Sequence, residues 1–233
     1  MKKKVFNVLI IVFLLALLAA LPVSADSSTY FRTYHSSGDI PSIDQALVTD
    51  MIGIQLADEL TVGLTRQNET TGELELGMAV EYTVSEDGKV YTFKLLDNVP
   101  WVRFNTETGA VEKVKDCAGN VRYVTAHDFV YGAERTLRPD TASGYAYVAS
   151  QIVNAEAYNL GENTDFSTVG VKALDDYTVE YTFNEPGVFN INILGMWMLH
   201  AMPSWLIEGN EYNEAMGERW TETGAYQGYG PFT

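Results

Sequence analysis

The chain has 233 residues and carries 31 Asp plus Glu against 15 Lys plus Arg, a net charge of −16, so its surface repels phosphate backbones and argues against nucleic acid as a partner. Hydrophobic residues at 46% and aromatics at 12% supply a sizeable core for one large or two small domains and argue against disorder. Cys117 is the only cysteine, which excludes an intrachain disulfide framework.

Lys2, Lys3 and Lys4 precede an apolar run from Val8 to Leu21, and Pro22, Val23, Ser24 and Ala25 lead into Asp26. A charged start, a short apolar stretch and small residues at Val23 and Ala25 predict a secretory leader cleaved after Ala25. The apolar run is shorter than the ~20 residues a membrane span needs. Retention as an anchor is the alternative. Removing the three leader lysines leaves 12 basic against 31 acidic residues, a charge of −19.

Tyr30 to Tyr34 alternate apolar and polar residues and predict a first strand, followed by a turn over Gly38 to Pro41. Asp50 to Leu60 predicts an amphipathic helix with Met51, Ile54, Ala57 and Asp58 at helical spacing. Leu60 to Leu64 predicts a short strand running into a polar loop from Arg66 to Gly72. Val80, Tyr82 and Val84 alternate, Asp87-Gly88 makes a turn, and Tyr91, Phe93 and Leu95 alternate again, which predicts a hairpin. Trp101 suits core or rim packing, with stacking on a ligand as the alternative. Asn105 to Arg122 carries Thr108-Gly109 and Gly119-Asn120 turns and predicts a second hairpin.

Thr125 and Asp128 have the spacing of a capping box, and Phe129, Val130, Ala133 and Leu137 then fall on one helical face. Pro139 ends that helix. After a turn over Asp140 to Gly144, Tyr145 and Tyr147 open a second short helix, and Ile152 to Leu160 continues as helix until Gly161. Val169 to Phe183 predicts another hairpin, turning at Asp175-Asp176 with Val179, Tyr181 and Phe183 on one face. Val188 to Ala201 is apolar almost throughout and predicts a buried helix with an extended tail. Pro203 opens a short helix with Trp205, Leu206 and Ile207, and Glu211 to Trp220 predicts a more polar one.

Catalytic patterns are missing from the sequence. His35, His127 and His200 are scattered, with no His-Glu-x-x-His helix, no Cys-His set at zinc spacing and no Gly-x-Ser-x-Gly elbow. Acid pairs such as Asp175-Asp176 sit in turns.

Four stretches, in order, resemble the bacterial extracellular solute-binding proteins of the oligopeptide and dipeptide ABC importer family, family 5. They are Val84-Ser85-Glu86-Asp87-Gly88 to Phe93, Thr125-Ala126 with Asp128-Phe129, Ala142 to Tyr147, and Gly170-Val171-Lys172-Ala173-Leu174-Asp175-Asp176. The resemblance implies a mixed α/β fold, periplasmic-binding-protein-like type II, in which two lobes close over a solute. It implies that 26–60 begins lobe I, 61–224 forms its smaller inserted subdomain and 225–233, with Gly228-Tyr229-Gly230-Pro231-Phe232, crosses back. It also implies that the second lobe lies downstream of Thr233, so that the chain is an N-terminal portion of a longer protein. The 105–122 segment departs from the family's shorter connection.

The same resemblance implies that Val48, Thr49, Asp50 and Met51 line the ligand cleft with backbone groups, where the residues by themselves read as no more than the start of a helix, and that Tyr145 hydrogen-bonds a bound peptide. A phenol suits that task, joining a flat apolar ring to a donor-acceptor tip. Tyr147 is left to the core. The implied partners are a peptide or other small solute and the membrane permease subunits of an ABC importer. The implied protein is a periplasmic or extracytoplasmic monomer that uses no cofactor, no metal and no catalytic residue. Sugars or metal chelates as ligands, a secreted hydrolase, and an adhesin or assembly subunit are the alternatives.

Overall fold

The structure is a computed structural model that describes residues 39–68, 70–210 and 214–232. The leader, its cleavage point and the strand expected at Tyr30 to Tyr34 lie outside the described residues.

The centre of the fold is a four-stranded antiparallel sheet in the order β3-β4-β8-β7. Its strands are β3 (Ala79–Val84), β4 (Val90–Leu95), β7 (Val171–Asp175) and β8 (Thr178–Thr182). Both hairpins form where the alternation and the Asp-Gly and Asp-Asp turns place them. Register sets Tyr91 opposite Tyr181 and Phe93 opposite Val179, so these four side chains share one face. All four are buried, together with Leu95 and Phe183.

Helix α2 (Ala126–Leu137) covers that face against β7 and β8. Its capping box is complete: Asp128 Oδ2 accepts from the Thr125 N–H at 2.8 Å, and the Thr125 side chain meets the N3 backbone. Such a cap contributes about 1 kcal/mol. Phe129, Ala133 and Leu137, four residues apart, are fully buried. Burying Phe129 and Leu137 stabilises the fold by about 1.5–3 kcal/mol each. From its other side, α2 holds the segment that follows Met198: the Thr136 hydroxyl donates to Met198 O at 2.6 Å, and Met202 N–H donates to Asp128 O at 3.2 Å.

Arg135 leaves α2 to form a two-pronged ion pair with Asp44, at 2.6 and 2.7 Å. Both side chains are buried, and Asp44 also accepts from Ala46 N–H at 2.9 Å and from Trp220 Nε1 at 2.7 Å. Three stretches distant in sequence therefore meet on one carboxylate. Removing one partner of such a pair leaves an uncompensated buried charge, which costs about 3–5 kcal/mol.

Helix α1 (Met51–Leu60) is capped by Asp50, whose carboxylate accepts from the Ile52 and Gly53 amides. The following strand begins later than the sequence suggests: the Gly63 and Leu64 carbonyls accept from the amides of 77–79, and β1 (Thr65–Gln67) pairs with β2 (Leu74–Leu76). Trp101 is fully buried, with its ring edge-on to Trp205 and Tyr229. Strands β5 (Val102–Asn105) and β6 (Ala110–Lys113) form the expected extra hairpin, and a Lys115–Val121 bridge closes a second loop beside it. Gly228 pairs with Val102, and the Tyr229 and Gly230 amides both donate to Leu60 O.

Three expected helices are shorter or broken. Of Ile152 to Leu160, only α3 (Ala155–Asn159) is α-helical, because Ile152 and Val153 bond instead to Phe183 and Thr182 and lengthen the sheet. Val188 to Ala201 contains one turn, α4 (Asn190–Ile193), and a separate 3-10 turn at Trp197–Leu199. Gly195 lies between them so close to Thr65 that a Cβ there would sit 2.6 Å from the Thr65 carbonyl oxygen, and Val188 and Phe189 are exposed rather than buried. After α5 (Ser204–Ile207), the described part of Glu211 to Trp220 is coil ending in a 3-10 turn at Gly217–Thr221, in which Trp220 alone is buried.

Candidate functional site

The candidate site begins at the corner where 48–51 enters α1. Val48 turns inward, 2% exposed, and its amide donates to Asp44 O at 2.8 Å. Thr49 and Met51 face outward, Met51 at 85% exposure. Asp50 is occupied as the helix cap. Gly144 comes against this corner: a Cβ there would lie 2.9 Å from the Thr49 methyl. Tyr145, the next residue, is thereby set beside the 48–51 turn. Of the five sequence-chosen residues, Thr49 and Met51 are exposed, Asp50 and Tyr145 half-buried and Val48 buried.

The Tyr145 ring is fixed by neighbours on two sides. Trp197 meets it edge-on at 5.0 Å between centroids and 76°, and Tyr147 stacks on it at 6.1 Å and 23°. Such ring pairs contribute about 0.5–1.5 kcal/mol beyond area burial. The Tyr145 hydroxyl bonds to no other described residue. Tyr147 does not go to the core: it is 68% exposed, because 146–151 is a 3-10 helix and only Ala146 and Ala149, three residues apart, turn inward. Trp197 was missed by sequence reasoning, which placed it in a continuous buried helix. Its indole N–H is covered and finds no acceptor among the described residues.

Beyond Trp197 runs a groove of about 830 Å³ between the β1–β2 hairpin and the 189–200 segment. Val62, Asn68, Leu74, Phe189, Trp197 and His200 are among its walls; Tyr145 adjoins it through Trp197, and neither Tyr145 nor 48–51 lines it. His200 is buried at its base. Nδ1 lies 2.8 Å from Thr61 Oγ1 and Nε2 3.1 Å from Gly195 O, so the carbonyl assigns the ring proton to Nε2, while the Thr61 hydroxyl donates to Ala57 O at 2.7 Å. Burial pulls the imidazole down to about 4, partly offset by the Gly195 carbonyl. Asp58 beside it is pushed up to about 6 by burial and by the neighbouring Glu59 charge. At the rim, Arg66 pairs with Glu75 at 2.9 Å. Among the described residues, no group of three or more His, Cys, Asp or Glu side chains could hold a metal ion.

A fixed ring with an open hydroxyl, an adjoining groove and a neutral buried histidine suit the holding of a polar, partly apolar ligand. Comparisons with known proteins give the family. The chain is 30% identical over 187 residues to the oligopeptide-binding protein OppA of Bacillus subtilis, covering 80% of this chain and 31% of that protein. It is 40% identical over 123 residues to the oligopeptide-binding protein AmiA of Streptococcus pneumoniae, covering 52% and 16%. The solved structure of Listeria monocytogenes OppA bound to peptide superposes with a TM-score of 0.69 at 25% identity, over 84% of this chain and 34% of that one. The chain therefore spans about a third or less of the length of these relatives. With residues 73–233 matched by the family model for bacterial extracellular solute-binding proteins, family 5 Middle, it belongs to that family.

Proposed function

We propose that the chain is part of the extracytoplasmic substrate-binding component of an ABC importer, which captures peptides without converting them and delivers them to a membrane permease. In this reading 61–224 is the smaller subdomain of the N-terminal lobe, 225–233 crosses back to that lobe, and a cleavable leader ending at Ala25 exports the protein. The peptide lies along the surface made by Thr49, Asp50, Met51 and Tyr145, held largely through its main chain. What carries the proposal is the Tyr145 ring, clamped by Trp197 and Tyr147 while its hydroxyl stays unengaged by the described residues.

The test is Tyr145→Phe in the gene product, titrated with peptide. Losing one phenol hydrogen bond, worth about 1 kcal/mol, weakens binding roughly fivefold with the melting temperature unchanged. Unaltered affinity in both Tyr145→Phe and Tyr145→Ala would remove Tyr145 from the site.

A further inference from the structure

A second groove, about 1140 Å³, lies between the β5–β6 hairpin with its adjoining loop and the wall formed by Trp205, Leu206 and residues near Gln227. Four of the chain's fifteen basic side chains line it: Arg103, Lys113, Lys115 and Arg122. In a molecule of net charge −16 that concentration is out of proportion.

Glu112, Asp116 and Glu214 also line the groove, and two of these acids are already engaged. Glu112 accepts from Asn105 Nδ2 at 2.8 Å and lies 3.6 Å from Arg103. Asp116 closes its own turn, accepting from the Ala118 and Asn120 amides at 2.9 and 2.8 Å and from Asn120 Nδ2 at 3.1 Å. Arg122 feels the Asp116 charge, yet no carboxylate among the described residues reaches ion-pair distance of Lys113, Lys115 or Arg122.

Arg122 is also held in place. Its guanidinium lies 4.4 Å from the centroid of the Trp205 ring. That ring is fixed by its N–H donating to Gln227 Oε1 at 3.0 Å and by edge contact with Trp101 at 5.3 Å. A guanidinium held over an indole face by cation–π attraction can still offer its forked donors to a carboxylate or phosphate. Lys113 and Lys115 add mobile point charges nearby.

We propose that this groove is an anion site for a small molecule bearing carboxylate or phosphate groups, separate from the Tyr145 surface and independent of the peptide reading. Isothermal titration of the protein with citrate and, in parallel, with pyrophosphate tests it, with a neutral polyol as control. Saturable binding of either anion is expected, weakened roughly tenfold in Arg122→Gln and again in the doubly exposed variant Lys113→Gln/Lys115→Gln, and weakened by added salt. Citrate alone would identify a carboxylate ligand and pyrophosphate alone a phosphate ligand. Absence of saturable binding in the millimolar range, or equal affinity in wild type and both variants, would overturn the proposal.

Discussion

His200 shows how one buried side chain couples stability to pH. Unfolded, an imidazole titrates near 6.5; folded, burial holds His200 at about 4, and Asp58, 3.9 Å away and half exposed, does not compensate. Between those values the unfolded chain takes up a proton that the folded chain refuses. The His200 contribution is therefore complete above pH 6.5 and is lost as pH falls toward 4, by up to about 3 kcal/mol. Asp128, pushed up to about 6 chiefly by burial, works in the opposite sense, and Asp58, shifted the same way but half exposed and therefore screened by solvent, adds less. Their contribution is complete below about 3.8 and is lost as pH rises toward 6. The opposing slopes partly cancel in the wild type. His200→Gln removes one of them: the variant should melt below wild type at pH 7.5, and the gap should narrow on going to pH 4. A gap constant across pH 7.5 to 4 would show that His200 is not held neutral.

At the scale of elements, α2 organises the fold, and its closest approach is made by a residue without a side chain. A Cβ on Gly132 would lie 2.1 Å from the His200 carbonyl oxygen. Helix propensity alone says that Gly132→Ala should stabilise by about 1 kcal/mol. Packing says the reverse, because α2 would have to move off the 198–202 segment, at about 1–3 kcal/mol. Denaturant unfolding should show a net loss of stability; a gain would mean that this contact is loose. Elements whose signal is local were legible in the sequence: both sheet hairpins through alternation and turn residues, and α2 through its cap, its apolar face and Pro139. Elements decided by distant partners were not. Ile152 and Val153 were drawn into the sheet by Thr182 and Phe183, and the Val188 to Ala201 run, rich in apolar residues, carried no periodicity to reveal the break at Gly195.

Across the whole molecule, the same limit governs the site. Tyr145 and the 48–51 corner were reachable only through family resemblance, since neither carries a chemical signature by itself. Their neighbourhood depends on Gly144 meeting Thr49, nearly a hundred positions apart in the chain, and on Trp197 closing the aromatic group from a third segment. The Asp44, Arg135 and Trp220 junction that ties the 48–51 corner to α2 and to the far end of the described chain was equally hidden, because each residue alone looks like surface charge or ordinary core. Family membership is now shown, and peptide capture is the claim on which the functional account rests. Its most direct test is calorimetry of the purified gene product with a peptide pool, followed by mass spectrometry of the recovered peptides. Selective binding to the folded state at a hundredfold excess over Kd should raise the melting temperature by roughly 5–10 °C and return the peptides intact. Cleaved peptides without saturable binding would contradict it.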